Sequence, residues 1–174
     1  MKRALIVSDS HGSSEVLETI KEKHGSEVEV MVHCGDSELA ADDSALSGFA
    51  VVRGNCDYDQ KLPNELVKDI DGYRLYVTHG HLYSVKSTLM NLHYRAREVN
   101  ANIVCFGHSH VLGAEMIDGI LFINPGSILL PRMRLEKTYV ILDLSETDLI
   151  LRTFDIDKGE LPGLQQSFTL PKRK

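Results

Sequence analysis

Five short stretches carry side chains able to hold a cation: Asp9-Ser10-His11, Gly35-Asp36, Gly54-Asn55, His79-Gly80-His81 and Gly107-His108-Ser109-His110. Each follows an apolar run and includes a small residue that lets the backbone turn sharply. Carboxylate, amide and imidazole form a mixed oxygen and nitrogen donor set with no thiolate. That set suits manganese, iron or zinc better than a thiolate-rich structural zinc site or an all-oxygen calcium site. One Asp-x-His, or one histidine at a strand end, is ordinarily a structural group. Five such ends in strand-by-strand order point to metal chemistry.

The elements that must bring these stretches together are legible as periodicity. Residues 4–8 read as a buried strand. Ser13 or Ser14 can N-cap a helix with Val16, Leu17 and Ile20 on one face, stopped at Gly25. Strands follow at 27–33, 50–52, 73–78 and 102–106, with a helix over 85–99 that places Leu89, Leu92, Ala96 and Val99 on one side. Asp118-Gly119 joins two short strands as a tight hairpin, and 138–144 with 149–154 make a second one. An α/β alternation thus gives way to hairpins, which predicts mixed sheets flanked by helices. Ligand sites in such sheets lie beyond the carboxyl ends of the strands, where the five stretches fall. The expected organisation is one compact domain over residues 1–160 and a loosely held C-terminal tail over 161–174, containing Pro162 and Pro171. The loops at 37–49, 58–68 and 81–86 are short and carry no legible substrate signature, so an open cleft is expected.

Composition narrows the function further. The chain has 174 residues, 43% hydrophobic and 25% charged, with a formal net charge of −6. That balance argues against a long nucleic acid or an anionic membrane as partner, because polyanion binding shows a basic stripe. The one basic cluster is Pro171-Lys172-Arg173-Lys174. Met1-Lys2-Arg3 precedes an apolar run too short for a secretory segment, and no apolar stretch approaches the roughly 20 residues that span a bilayer. Cys34, Cys56 and Cys105 are odd in number and widely spaced, which reads as reduced thiols in a cytoplasmic protein.

The series D-S-H, G-D, G-N-C-D, T-H-G-H and G-H-S-H, with Asn124-Pro125-Gly126-Ser127, resembles the calcineurin-like metallophosphoesterase superfamily. It is most similar to the small single-domain bacterial and archaeal phosphodiesterases of that group, over residues 4 to about 130. The resemblance implies an α/β fold: a four-layer αββα sandwich of two mixed β-sheets flanked by helices. It implies two divalent ions, manganese by preference, with iron, zinc or nickel as alternatives. Asp9, His11 and His110 would hold the first ion and Asn55, His79 and His108 the second, with Asp36 bridging both. The implied reaction is hydrolysis of a small or medium phosphodiester by in-line attack of a metal-bridging hydroxide. Two divalent ions, two aspartates and one hydroxide leave a single positive charge, which matches the single negative charge of a diester. Relatives of this kind often self-associate, so a homo-oligomer is also open to the chain.

The pattern departs from the family at Cys56, where many members carry a histidine that serves as general acid or phosphate contact. A thiol is a poorer proton donor at neutral pH. His81, two residues past His79, is the candidate to take over proton transfer or substrate contact. Asp57 reads either as an orienting group or as a turn cap, and Arg132 and Arg134 as candidate phosphate contacts. His33 reads as a packed core residue, His24 as a helix-end group and His93 as a residue of the helix over 85–99; neither of the last two needs a catalytic role. Cys34 and Cys105 read as buried small hydrophobes. Two other functions remain open to the same residues: a phosphomonoesterase, and a non-catalytic scaffold like the retromer subunit of this fold.

Overall fold

The structure is a computed structural model that describes residues 1–172; Arg173 and Lys174 of the basic cluster lie outside the described residues. β1 (Lys2–Val7) leads through α1 (Ser14–His24) to β2 (Val30–His33) and β3 (Phe49–Val51). β4 (Glu65–Ile70) and β5 (Tyr73–Thr78) precede α2 (Met90–Glu98), β6 (Ile103–Cys105), β7 (Gly113–Ile117) and β8 (Ile120–Asn124). β9 (Thr138–Leu144), β10 (Asp148–Asp155), β11 (Gly159–Glu160) and β12 (Gln166–Thr169) complete the chain. One sheet runs β11-β10-β9-β1-β2-β3, with β12 also on β10, and the other runs β4-β5-β6-β8-β7. Each mixes parallel and antiparallel pairs.

Strand alternation sorts the core into three layers. Ala4 and Ile6 of β1 face Leu75, Val77, Ile103 and Cys105 between the sheets. Leu5 and Val7 face the other way, onto Leu17 and Ile20 of α1. Tyr76 and Val104 turn outward onto Leu92 and Ala96 of α2. Both faces of β1 are therefore covered, which explains its unbroken apolar run. Each fully buried Leu or Ile contributes about 1.5–3 kcal/mol. The result is the expected four-layer αββα sandwich. Among the described residues, no helix is long and apolar enough to cross a membrane.

The elements differ from expectation in four places. α1 ends as expected, but Gly25 stays right-handed (φ −56°) and Ser13 makes no side-chain cap bond. The helix expected over 85–99 is only Met90–Glu98, because Ser84 is left-handed (φ 54°) and its carbonyl gathers the N–H groups of Ser87 and Thr88. Part of the expected loop at 58–68 is β4. It pairs with β5 across Asp71-Gly72, whose φ values of 49° and 84° make a tight turn like that at Asp118-Gly119.

The expectation of a loose tail over 161–174 is also overturned within the described residues. β12 pairs with β10 in antiparallel register from Leu151↔Gln166 to Asp148↔Thr169. Leu170 is 7% exposed within the inter-sheet core, and its carbonyl accepts from the Tyr73 hydroxyl at 2.6 Å. Lys172 Nζ reaches Asp71 at 2.7 Å and Glu146 at 2.9 Å. Proline spacing gave no sign of a strand only four residues long.

His33 is a packed core residue, as expected. It sits at the end of β2, its Nδ1 accepting from the Gly35 N–H at 3.1 Å and its Nε2–H donating to Ser10 Oγ at 2.8 Å. Burial pushes this imidazole down to about 4.

Two measurements check these placements. Leu170→Ala should lower unfolding free energy in urea by about 2–3 kcal/mol, whereas a loosely held residue would change it by no more than about 0.5 kcal/mol. In metal-free protein, the His33 ring should titrate near pH 4 by NMR. Its folded pKa lies below the unfolded value, so the unfolded chain binds the proton first. Its contribution to stability should therefore fall as pH drops from about 6.5 toward 4.

Candidate metal centre

The five strand-end stretches meet at one edge of the sandwich, contributed by both sheets. β1 delivers Asp9 and His11, and β2 delivers Asp36. β3 leads to Asn55, β5 to His79 and β6 to His108 and His110. Loop-to-loop backbone bonds fix the register: Asp9 N–H to Gly35 O at 3.1 Å, His11 N–H to Asp36 O at 3.0 Å, and Gly107 N–H to His79 O at 3.0 Å. Asp9, His11, Asp36, His108 and His110 all have positive φ, between 41° and 71°. Non-glycine residues seldom adopt this region. Here it swings each side chain back into the cleft at the moment the strand stops.

Two of the neighbouring glycines are required by close approach rather than by turning. A Cβ on Gly54 would collide with the Asp36 carboxylate, and one on Gly107 with Ser8 Oγ and Asp9 Oδ2. Backbone and carboxylates are packed without room for a methyl group.

Asp9 is fully buried. Its Oδ2 accepts from the Ser8 hydroxyl at 2.6 Å and the His108 N–H at 3.2 Å. Its Oδ1 is buried and makes no hydrogen bond within geometric limits. That oxygen faces Nε2 of His110 at 3.2 Å, of His11 at 3.7 Å and of His79 at 3.9 Å. Asp36 stands beside this group: its Oδ2 lies 3.1 Å from His79 Nε2, and its Oδ1 accepts from the Cys56 N–H at 2.8 Å. Asn55 Oδ1 lies 3.1 Å from the same His79 nitrogen. Donor atoms of Asp9, His11 and His110 lie within 4.8 Å of one another, as do those of Asp9, Asp36 and His79. Asp36 also groups with His11 and the Cys56 thiol, so its carboxylate lies between the two sets.

The histidines are aimed by their outer nitrogens. Nδ1–H of His110 donates to Leu130 O at 2.7 Å, that of His79 to Cys34 O at 2.7 Å and that of His11 to Glu38 Oε1 at 2.6 Å. Each ring therefore presents Nε2 to the cleft. His11 and His110 bring their Nε2 atoms to 3.1 Å, which without a shared proton or a cation sets two lone pairs against each other.

Titration behaviour reflects the same crowding. Burial is the largest influence on Asp36 and opposes its ionisation, yet the hydrogen bond and charge of His79 and the bonds from Cys56 together outweigh it and hold the carboxyl well below its usual range. Burial is likewise the largest influence on Asp9 and opposes its ionisation, but the nearby His110 and His79 rings and the Ser8 hydroxyl together overcome it. Burial is the largest influence on His79 and would lower it, but Asp36, the charge of Asp9 and the Cys34 carbonyl together raise it; His110 is raised chiefly by the Asp9 carboxylate beside it. An orphaned carboxylate oxygen ringed by imidazole nitrogens is a donor set that fits divalent metal.

The structure does not treat every expected site residue alike. His108 stands next to the group, its ring 5.1 Å from His79 and its pKa lowered to about 4 by burial and then by His79. Its ring nitrogens fall outside the clusters of close donors. His81 lies 5.3 Å from the His79 ring and 6.1 Å from His108, with a buried Nδ1 that has no hydrogen-bond partner. Arg132 follows the site loop, its N–H donating to His110 O at 3.0 Å. Arg134 turns away to Glu136 at 3.6 Å, so it is not placed at the centre. Cys56 is exposed, and burial of its sulfur, then Asp36, pushes the thiol up to about 11.

Asp57 orients the site rather than capping one turn: it accepts from the N–H groups of Asp36 at 2.9 Å, Glu38 at 2.7 Å and Gly54 at 2.7 Å. Ser127 Oγ donates to Asp9 O at 2.8 Å, and Asn124 Nδ2 donates to Gly107 O at 3.2 Å, giving the Asn-Pro-Gly-Ser stretch its role. Glu38 and Ser8 were not singled out by sequence. Ser8 precedes Asp9 directly, a proximity that could have drawn notice; Glu38 sits in a polar loop with no distinguishing signal. His24 bonds the Tyr139 hydroxyl at 2.9 Å and His93 faces Asp118 at 3.4 Å, both remote from the site.

Comparison with known proteins identifies relatives of this chain. The probable metallophosphoesterase YsnB of Bacillus subtilis is 48% identical over 166 residues, 95% of this chain and 98% of the relative. The phosphodiesterase YfcE of Escherichia coli is 29% identical over 171 residues, covering 82% and 88%. A crystal structure of a predicted phosphoesterase from Streptococcus pneumoniae superposes with a TM-score of 0.92 at 34% identity, over 97% of each chain. The model of the calcineurin-like phosphoesterase superfamily domain matches residues 1–147, and the chain belongs to that superfamily.

Proposed function

We propose that the chain is a phosphodiesterase that works with two divalent cations, manganese by preference, and hydrolyses small or medium phosphodiesters by in-line attack of water. The observation that supports this reading is the buried, unbonded Oδ1 of Asp9 facing three imidazole nitrogens, with Asp36 alongside. In this reading Asp9, His11 and His110 hold one cation, Asn55, His79 and His108 the other, and Asp36 joins them. When bound, such a pair supplies an activated water and polarises a phosphoryl oxygen, so no covalent nucleophile is required.

The chain's own residues do the positioning. Ser8 and the His108 N–H lock one oxygen of Asp9 and leave the other facing the cleft. Asp57 clamps the backbones of Asp36 and Gly54, so two loops from different strands move as one. Asn55 and His81 stand at the open side, where they can donate to phosphoryl oxygens, and Arg132 adds positive charge near His110. With a thiol at position 56, departure of the alcohol receives little proton help.

The relative named a phosphodiesterase, and the modest positive charge of the site, favour diesters over monoesters. Parallel assays of a bis-aryl phosphate and an aryl monophosphate should favour the diester; the reverse order would make the monoesterase reading correct. Absence of hydrolysis of any phosphoester by metal-loaded protein would leave a scaffold of this fold. Asp36→Ala should drop metal stoichiometry below two per chain and cut kcat/KM roughly a thousandfold, the scale lost with a central electrostatic group. Asn55→Ala should weaken mainly one of two metal-binding steps in a calorimetric titration. Across a series of aryl diesters, log kcat should fall steeply as leaving-group pKa rises; a flat series, with chemistry rate-limiting, would mean that a proton donor is present.

A further inference from the structure

We infer that the open groove beside the metal centre holds the ester arm that the substrate retains, and that this arm is a nucleoside. The inference rests on the phosphodiesterase reading above. The groove encloses about 560 Å³, within the range of sites that hold a whole small molecule. It neighbours the centre: Ser109, between His108 and His110, lines it, as does Arg132, whose N–H bonds the His110 carbonyl.

Its lining is chemically mixed. Phe106, Phe122 and Leu89 supply apolar and aromatic surface. Lys86 and Arg132 stand on its wall, and Arg132 is the one bonded through its N–H to the His110 carbonyl. Glu115, two residues further along β7 than Gly113, supplies a carboxylate acceptor. A ligand suited to this lining is anionic at the end beside the centre, has a flat, largely apolar body, and carries N–H or O–H donors. A nucleoside attached to the scissile phosphate combines those groups. A retained arm needs a site that holds it through the whole reaction, whereas the leaving arm must depart, so a formed groove suits the former.

Gly113 gives a direct test. A Cβ there meets nothing within 4 Å, and its φ lies outside the left-handed region. By strand alternation it shares the face of Glu115. Gly113→Phe should therefore place a ring in the groove without backbone strain.

The experiment compares p-nitrophenyl thymidine 5′-phosphate with p-nitrophenyl methyl phosphate, using manganese-loaded protein. The leaving group is the same in both, so differences report the retained arm. The expected result is a kcat/KM at least about tenfold higher for the thymidine ester, and collapse of that preference in a folded Gly113→Phe protein. Equal values for the two esters, or a preference that survives the substitution, overturn the inference while the phosphodiesterase reading stands. A second readout needs no turnover. Thymidine 5′-monophosphate added to metal-free protein should shift the methyl resonances of Val85, Leu89 and Leu112, and should not do so in Gly113→Phe. If neither ester is hydrolysed, the phosphodiesterase reading fails, and the methyl shifts alone decide the groove.

Discussion

One oxygen of one aspartate sets the terms for the rest of the molecule. Asp9 Oδ1 is withdrawn from water, makes no hydrogen bond and is ringed by imidazole nitrogens. A buried carboxylate oxygen left without a hydrogen bond is a costly feature. It persists here because the surroundings hold it in place: Ser8 and the His108 N–H bind its other oxygen, and Ser127 binds its carbonyl. The arrangement makes physical sense as half of a charge-compensated centre, the other half being divalent cations.

Holding that arrangement has a cost in backbone conformation. Five of the residues named as metal ligands adopt positive φ, each at about 1–2 kcal/mol for a side chain with a Cβ. Sheets closed on both faces offset it. β1 is covered by α1 on one side and by the second sheet on the other, so the strand that delivers Asp9 and His11 cannot shift without opening two core layers. β5 and β6 are anchored in the same way under α2. The strained turns sit at the ends of the most rigid elements, where small backbone displacements would be most damaging to a site measured in tenths of an ångström.

Orientation of the ligands is delegated to residues with no chemistry of their own. Asp57 collects three backbone N–H groups from two loops, Glu38 and two carbonyls fix the outer nitrogens of three histidines, and His33 stays neutral while joining Ser10 to Gly35. The ion pairs within the centre reinforce this. His79 and Asp36 each favour the charged form of the other against the burial that opposes both. Such a pair is balanced for exchange of a proton against a cation, because the acceptor geometry is already present before either arrives.

By itself, the sequence determined the strand ends and the donor types. Apolar runs stopping at Asp9, Asp36, Asn55, His79 and His108 are visible because each strand is buried on both faces and must be continuous, and because metal-capable side chains are out of place beside such runs. The two sheets with flanking helices were legible for the same reason. Only the tertiary structure decided what depends on contacts between distant segments. β4 is half exposed and β12 is four residues long, so neither carries a strong period; both exist because β5 and β10 offer open edges to pair with. Asp57, Glu38 and Arg134 could not be sorted from sequence, since a polar residue in a loop has the same appearance whether it clamps a ligand or faces water. Which oxygen of Asp9 is free, and which nitrogen of each histidine faces it, followed from hydrogen bonds between residues up to about a hundred positions apart, a distance over which local sequence carries no signal.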